Sequence, residues 1–329
     1  MTDSSSVDGG LDEGPLPWHR PLWRQVAAWH RRARFPHGVL CTGPPGVGKE
    51  AFARRLAQGL LCSTHRDGQP CGACRSCKLW AVGHHPDGVL IAPEADDKAI
   101  KVEAIRGLGE FMAHTANAGV KVALMLAAHH LNPSAANALL KTLEEPPGNG
   151  VLLLVTAFPG RLPATVRSRC QRLAVARPPK QEALAWLAAR GLTAGEGVLA
   201  QSLGAPLKAL ALAPREPRRR ALFEAFTAVA AGRLDPLEAA ATLAAEEPRE
   251  ALEWLISWHR DLVRLKMQAT LPLENGDLAA TLTSLANDVP FDVLWARLDH
   301  LQRLWRRGSG PVNTTLALES FLASWAPLH

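Results

Sequence analysis

Four of the six cysteines lie close together, at Cys62, Cys71, Cys74 and Cys77. The last three follow one another at two-residue intervals in a glycine-containing turn, and the first ends a helical segment. Four thiolates at this spacing can bind one tetrahedral Zn²⁺ at Zn–S distances of about 2.3 Å. An iron–sulfur cluster is the alternative, and disulfides are disfavoured in a reducing compartment. The pattern predicts a structural zinc site, because four protein ligands leave no position for a catalytic water.

A glycine-rich loop, GPPGVGKE at residues 43–50, is a second candidate site. It follows an apolar run and precedes an amphipathic segment, as a phosphate-binding loop does. Its three glycines would let backbone N–H groups approach phosphate oxygens, and Lys49 would reach the terminal phosphates. The last position, where a Ser or Thr hydroxyl would coordinate Mg²⁺, holds Glu50. The candidate nucleotide-binding residues are Gly43, Gly46, Gly48 and Lys49.

The acidic residues that a P-loop ATPase needs are missing from their usual place. Such enzymes hold Mg²⁺ and orient water with carboxylates at the end of an apolar strand. After the apolar run 122–125 the chain continues Leu-Ala-Ala-His-His. The nearest acidic pair, Glu144 and Glu145, ends a helical segment instead, where carboxylates oppose the helix dipole; it would serve an interface or lie in solvent. We therefore expect no ATP hydrolysis, and the sequence leaves ATP binding open.

The elements that would position these residues change type along the chain. Short, fully apolar runs alternate with helical spacing in the first half, which predicts buried parallel strands separated by helices. Beyond residue 177 the pattern is helical, interrupted by a Pro-flanked basic stretch at 214–220 that we interpret as a linker. The predicted division is a disordered tail at 1–16, an α/β P-loop domain at 17–177 with a zinc module at 62–77, a small helical domain at 178–214 and a larger helical domain at 217–329.

Composition places the chain among globular proteins. Of 329 residues, 47% are hydrophobic and 21% charged, and no apolar run is long enough to cross a bilayer. The acidic N-terminal stretch lacks the features of a secretory signal, so we expect a cytoplasmic protein. Residues 1–177 carry 21 Lys or Arg and 14 Asp or Glu, whereas residues 178–329 carry 16 and 17, giving +7 and −1. The basic surplus weakly favours contact with nucleic acid.

Several motifs in one order resemble the bacterial clamp-loader branch of the AAA+ superfamily. The P-loop is followed by the four-cysteine module, then by GHHPD at 83–87, NALLKTLEEPP at 137–147 and SRC at 168–170. The resemblance implies an AAA+ domain with a five-stranded parallel sheet, a small helical lid domain and an all-α collar domain that joins a pentameric ring. It places Thr156 at the sensor 1 position, Lys208 at the sensor 2 position usually held by arginine, and Arg169 where relatives present an arginine finger to a neighbour's nucleotide.

The function implied by the resemblance is that of a non-hydrolysing loader subunit, acting in DNA replication. Its expected partners are ATP-hydrolysing motor subunits and a delta subunit in a hetero-pentameric ring, the sliding clamp, and primer–template DNA reached through the complex. An active motor subunit is the nearest competing hypothesis, and Glu50 argues against it. Two further hypotheses are a free-standing P-loop enzyme such as a kinase and a zinc-containing DNA-binding module unrelated to replication.

Overall fold

The computed structural model describes most of the chain and divides it into two units. One unit comprises Met1–Trp186 with Ala205–Lys208, and the other comprises Leu187–Gly204 with Ala209–His329. The residues that the structure describes are 15–32, 35–95, 98–117, 119–146, 148–193, 195–244, 248–271, 273–306 and 314–326.

The first unit contains a five-stranded parallel sheet within its described residues, as expected from the sequence. The order across the sheet is β2-β3-β4-β1-β5, so the first strand lies between the last two. The outer strands are less buried than the apolar pattern predicts: three of four residues in β5 are exposed, because an edge strand has a neighbour on one side alone. The strands are β1 (Gly38–Thr42), β2 (Gly88–Ile91), β3 (Lys121–Met125), β4 (Gly150–Thr156) and β5 (Gln171–Ala174).

Helices cover both faces of this sheet. Alternate residues of the strands contribute to two separate hydrophobic clusters, one containing Val39 and Phe52 and the other containing Leu40 and Leu139. This two-sided burial explains why the three central strands, β3, β4 and β1, are mostly apolar rather than alternating. The helices that begin in this unit are α1 (Arg20–Arg31), α2 (Lys49–Leu61), α3 (Arg75–Ala81), α4 (Val102–Ala113), α5 (Pro133–Glu144), α6 (Ala164–Arg167), α7 (Lys180–Ala188) and α9 (Pro206–Leu212).

The second unit is helical in its described residues. Its core surrounds the fully buried Trp258, which packs against Phe223 and Phe226. His259, on the same helix, is also fully buried. The helices are α8 (Gly195–Gln201), α10 (Glu216–Ala230), α11 (Pro236–Ala244), α12 (Pro248–Lys266), α13 (Ala279–Asp288), α14 (Phe291–Arg306) and α15 (Thr314–Ala323).

The basic stretch at 214–220 is helical, so its interpretation as a linker is wrong. A 3-10 turn at Ala213–Arg215 leads directly into α10. Arg219 is 1% exposed and donates from both terminal nitrogens to Asp277 and Asn275. The buried guanidinium is tolerated because carboxylate and amide oxygens satisfy both of its terminal nitrogens.

The predicted N-terminal tail extends too far. Residues 1–14 lie outside the described residues, whereas Leu16 is 2% exposed and is therefore part of the packed fold. A 3-10 turn at Pro17–His19 follows it and runs into α1. No helix in the described part of the chain is both long and apolar enough to span a membrane.

Candidate functional site

The glycine-rich loop connects β1 to α2 at the carboxyl edge of the sheet. Gly46 and Gly48 have φ angles of +76° and +81°, a region that other residues adopt at a cost. A side chain at Gly43 would place its Cβ 2.5 Å from the Val175 carbonyl oxygen, so that position also requires glycine. Lys49 begins α2 and is 4% exposed. The loop therefore has the strand–glycine turn–helix arrangement that presents N–H groups to an anion.

The chain's own N-terminal segment packs against this loop. The Trp18 indole N–H donates to the Val47 carbonyl at 2.9 Å, and the His19 ring contacts the same oxygen at 3.2 Å. A Cβ on Gly48 would lie 2.3 Å from Leu16 Cδ1. The Trp18 ring also packs edge-on against the Trp186 ring, with the two ring centroids 5.3 Å apart. Aromatic and aliphatic side chains of the first unit therefore cover one side of the loop.

The segment at 205–208 packs on the other glycine of the loop. The Leu207 N–H donates to the Gly46 carbonyl at 3.0 Å. A Cβ on Gly46 would lie 2.4 Å from Lys208 Cβ, so Lys208 lies directly against the loop backbone. The proposed sensor 2 residue is thus adjacent to the phosphate loop within one unit.

Thr156 is also adjacent to the loop, at the end of β4. It is aligned with Thr42, the last residue of β1, and is fully buried. Its hydroxyl accepts the Phe158 N–H at 2.9 Å and shares a 3.1 Å hydrogen bond with His129 Nδ1. Burial, together with the positive charges of His130, Arg161 and Lys49, lowers the pKa of His129 to about 4. His129 is therefore neutral at pH 7.

The end of β3 brings no carboxylate to this edge. Leu126 and Ala128 are buried where acidic residues would hold a metal ion, and Ala127 between them has a φ of +47°. Glu50 lies in the first turn of α2, where a carboxylate favours the helix dipole but would repel phosphate oxygens. Within residues 126–130, all of which the structure describes, the only titratable side chains are those of His129 and His130. Lys49 and the neutral His129 therefore lie at this edge together with the acidic Glu50, and the end of β3 contributes no acidic side chain.

The four clustered cysteines converge at the junction of α2 and α3. Cys62 caps the end of α2, Cys74 caps the start of α3, and Cys77 lies within α3. Their sulfurs lie within 4.8 Å of one another, with separations of 3.8 Å for Cys62–Cys74 and 4.0 Å for Cys71–Cys77. Tetrahedral Zn–S bonds of about 2.3 Å require S–S separations of about 3.8 Å. The four residues can therefore hold one metal ion.

The backbone supports this cluster of sulfurs. The N–H groups of Cys71, Cys74 and Cys77 point at the sulfurs of Cys62, Cys71 and Cys74, at 3.3–3.4 Å. Hydrogen bonds from Thr64 and from the backbone lower the pKa of Cys71 to about 5, so this thiol ionises readily. His85 is not among the clustered ligand atoms, and its Nδ1 accepts the Asp87 N–H at 3.0 Å.

Arg169 lies at the amino-terminal ends of the strands, whereas the glycine-rich loop lies at their carboxyl-terminal ends. It precedes β5, whose first residue is aligned with Val39 near the start of β1, whereas Gly43 follows the end of β1. Four residues of extended strand separate the two edges by about 13 Å. Arg169 Nη2 pairs with Glu144 Oε1 at 2.5 Å, and its Nη1 donates to the Thr165 carbonyl at 3.0 Å. The side chain is therefore directed away from its own chain's phosphate loop.

Family models match both parts of the chain. "DNA polymerase III, delta subunit" matches residues 18–179, and "DNA polymerase III, delta subunit, C terminal" matches residues 215–326. The DNA polymerase III subunit delta′ of Pseudomonas aeruginosa is 35% identical over 95% of this chain and 97% of that protein. The chain belongs to the DNA polymerase III subunit delta′ family. The delta′ subunit of Escherichia coli is likewise 35% identical, over 82% of each chain.

Other matches cover less of the chain or have a lower sequence identity than the delta′ subunits. The tau subunit of DNA polymerase III from Salmonella typhimurium is 42% identical over 42% of this chain and 21% of that protein. A solved DNA polymerase III gamma subunit-related protein from Thermotoga maritima is 17% identical and covers 93% of this chain and 97% of its own, with a TM-score of 0.39. A score of this size carries no conclusion about the fold.

The structure brings most of the predicted nucleotide-site residues of this delta′ family member to one edge of the sheet. The residues that the structure brings together at the carboxyl edge are Gly43, Gly46, Gly48, Lys49, Thr156 and Lys208, whereas Arg169 and the cysteine cluster lie elsewhere. His129 and the covering residues Leu16 and Trp18 were missed. The histidine pair after β3 was a visible signal, but its contact with Thr156 spans 27 residues of sequence.

Proposed function

We propose that this chain is a non-hydrolysing subunit of the DNA polymerase III clamp loader, which supplies Arg169 to a neighbouring subunit's nucleotide. Membership of the delta′ family supports the assignment to the holoenzyme. The observation that supports the rest is that two candidate sites lie at opposite ends of the strands of one sheet. A phosphate loop with no carboxylate at the end of β3 lies at one edge, and an exposed arginine lies at the other.

The argument for a silent site is electrostatic and geometric. Mg·ATP hydrolysis needs a hydroxyl on Mg²⁺ and a carboxylate to hold the ion and water. Glu50 and Leu126 stand at these two positions, so the usual Mg²⁺ ligands are absent from this loop and from the end of β3, both of which the structure describes. Lys208 replaces the usual sensor 2 arginine, and an ammonium lacks the two-pronged geometry that a guanidinium offers to phosphate.

Arg169 would act in trans for a related reason. An arginine stabilises charge that develops on the transferred γ-phosphoryl group, an effect worth about 10³–10⁵ in rate in GTPases. Because Arg169 lies about 13 Å from its own loop along the sheet, its nucleotide contact must involve a second subunit. Arg167, which is also exposed, is the alternative finger.

The metal at the cysteine cluster is proposed to be a structural Zn²⁺. Four thiolates at nearly tetrahedral separations favour zinc and leave no position for a water nucleophile. When bound, the ion would neutralise the sulfur charges and fix the segment between α2 and α3. Its role would be to stabilise this part of the first unit.

The proposed partners are those of a loader. We place the chain in a hetero-pentameric ring with motor subunits and a delta subunit, loading the sliding clamp on primer–template DNA in the cytoplasm. Residues 178–214 would form the lid domain and residues 217–329 the collar through which the ring assembles. Purified alone, the chain should release no phosphate from ATP above background. Turnover that disappears in a Lys49→Ala variant would instead identify an active motor subunit.

A further inference from the structure

Glu144 and Arg169 form an ion pair that neither sequence motif predicts alone. Glu144 ends α5, and Arg169 follows the short helix α6. Arg169 Nη2 lies 2.5 Å from Glu144 Oε1, and Nη1 lies 3.0 Å from the Thr165 carbonyl oxygen. Both terminal nitrogens of the guanidinium are therefore fixed by the chain itself.

The end of α5 is in turn fixed to the start of the sheet. His37, immediately before β1, shares a 2.9 Å hydrogen bond with the Leu143 carbonyl. At Gly38 a Cβ would lie 2.9 Å from Leu143 Cδ2 and 3.2 Å from the Arg169 carbonyl oxygen. The helix end, the first strand and the backbone of Arg169 thus pack with no room for a side chain between them.

A carboxylate at this position is otherwise unfavourable. The carbonyl end of a helix carries partial negative charge, which Glu144 adds to. The Arg169 guanidinium compensates both charges, and 37% of its side chain is still exposed. A guanidinium has five N–H donors, so two contacts leave three available for a phosphate.

We infer that Glu144 is the positioning residue for Arg169. It holds the guanidinium in the orientation in which the guanidinium contacts a phosphate of the neighbouring subunit's nucleotide. This inference rests on the proposed finger role of Arg169. A long side chain loses rotamer freedom when it engages a ligand, and restraint before that encounter reduces the loss. The ion pair is partly exposed, so its contribution is modest, and the assisted step should slow about two- to fivefold without it.

The test compares loaders reconstituted from full-length subunits. Glu144→Ala removes the carboxylate, and Glu144→Gln keeps an acceptor oxygen of the same reach without the charge. Clamp- and DNA-stimulated ATPase should fall in the order wild type, Gln, Ala, with the Ala variant still above Arg169→Ala. The adjacent Glu145→Ala removes an exposed carboxylate from the same helix end and should match the wild type. In an Arg169→Ala background, Glu144→Ala should cause no further loss.

Three results would overturn the inference. Equal rates for wild type and Glu144→Ala would mean that the pair does not assist. A faster Glu144→Ala loader would mean that Glu144 restrains the finger and competes with phosphate. A further loss in the Arg169→Ala background would show a structural effect unrelated to the finger. Failure of the proposed function itself is distinguishable, because Arg169→Ala alone would then leave the rate unchanged.

Discussion

His259 in the second unit should make the helical core sensitive to acid. Its Nδ1–H donates to the Leu255 carbonyl at 2.7 Å, and its Nε2 accepts the Trp325 indole N–H at 3.0 Å. Because indole nitrogen is only a donor, Nε2 must carry a lone pair, and the ring is neutral. Burial is the main cause that lowers the pKa of His259, to about 3; the Leu255 hydrogen bond opposes this shift, and the positive charge of Arg297 adds to it.

The sign and size of the effect follow from proton linkage. The unfolded chain binds a proton on this histidine near pH 6.5, whereas the folded chain does so only near pH 3. The stabilisation by neutral His259 is therefore present above pH 6.5 and is lost progressively as the pH falls below it. Between pH 7.5 and pH 4.5 the free energy of unfolding should fall by about 3 kcal/mol. About two pH units of this interval lie below the unfolded-state pKa, and each of them lowers the free energy by about 1.4 kcal/mol.

The assay is urea unfolding of the full chain at the two pH values, followed by pulsed hydrogen exchange of the α12 amides. His259→Gln is the control, because it can accept the Trp325 N–H but does not titrate. At pH 7.5 the variant should have a lower free energy of unfolding than the wild type. On acidification to pH 4.5, this free energy should fall by about 3 kcal/mol less in the variant than in the wild type. Histidines in the first unit contribute equally to both proteins. Equal pH dependence in wild type and variant would refute the reasoning.

Two further predictions concern the first unit. One zinc ion per chain should co-purify with the wild-type protein, as measured by elemental analysis. The Cys74→Ser variant should lose the zinc, while its circular dichroism shows that the sheet still folds. Bound iron with visible absorbance would contradict this prediction. Gly59→Ala should lower the melting temperature and weaken zinc retention, because its Cβ would lie 1.9 Å from the Gly68 carbonyl oxygen. Gly107→Ala, in a helix with open space around it, should instead stabilise by up to about 1 kcal/mol; equal effects of the two substitutions would contradict the packing argument.

Local patterns in the sequence were sufficient to predict the strands and the phosphate loop. Apolar runs mark β1–β4, because parallel strands covered on both faces need apolar side chains on both, whereas β5 was located although it begins with two polar residues and is mostly exposed. The Gly46 and Gly48 pattern likewise specifies backbone conformations that act locally.

Contacts between distant segments were not predictable in the same way. Arg219 appeared to belong to a basic linker. It is instead buried within α10, where it pairs with Asp277, which lies 58 residues away in the sequence. Glu144 appeared to be an interface residue or a solvated helix end, and only the fold brings it to Arg169. Such pairs depend on tertiary packing, on which periodicity and spacing carry no information.

The central claim is that this subunit assists catalysis at a neighbouring site and performs none at its own. The most direct measurement is clamp- and DNA-stimulated ATPase of loaders that carry either Lys49→Ala or Arg169→Ala in this subunit alone. We expect the Lys49→Ala loader to match the wild type. The Arg169→Ala loader should lose part of its activity, since other sites keep their own fingers, and Arg169→Lys should not restore it. The reverse pattern, with activity lost in Lys49→Ala and kept in Arg169→Ala, would contradict the account.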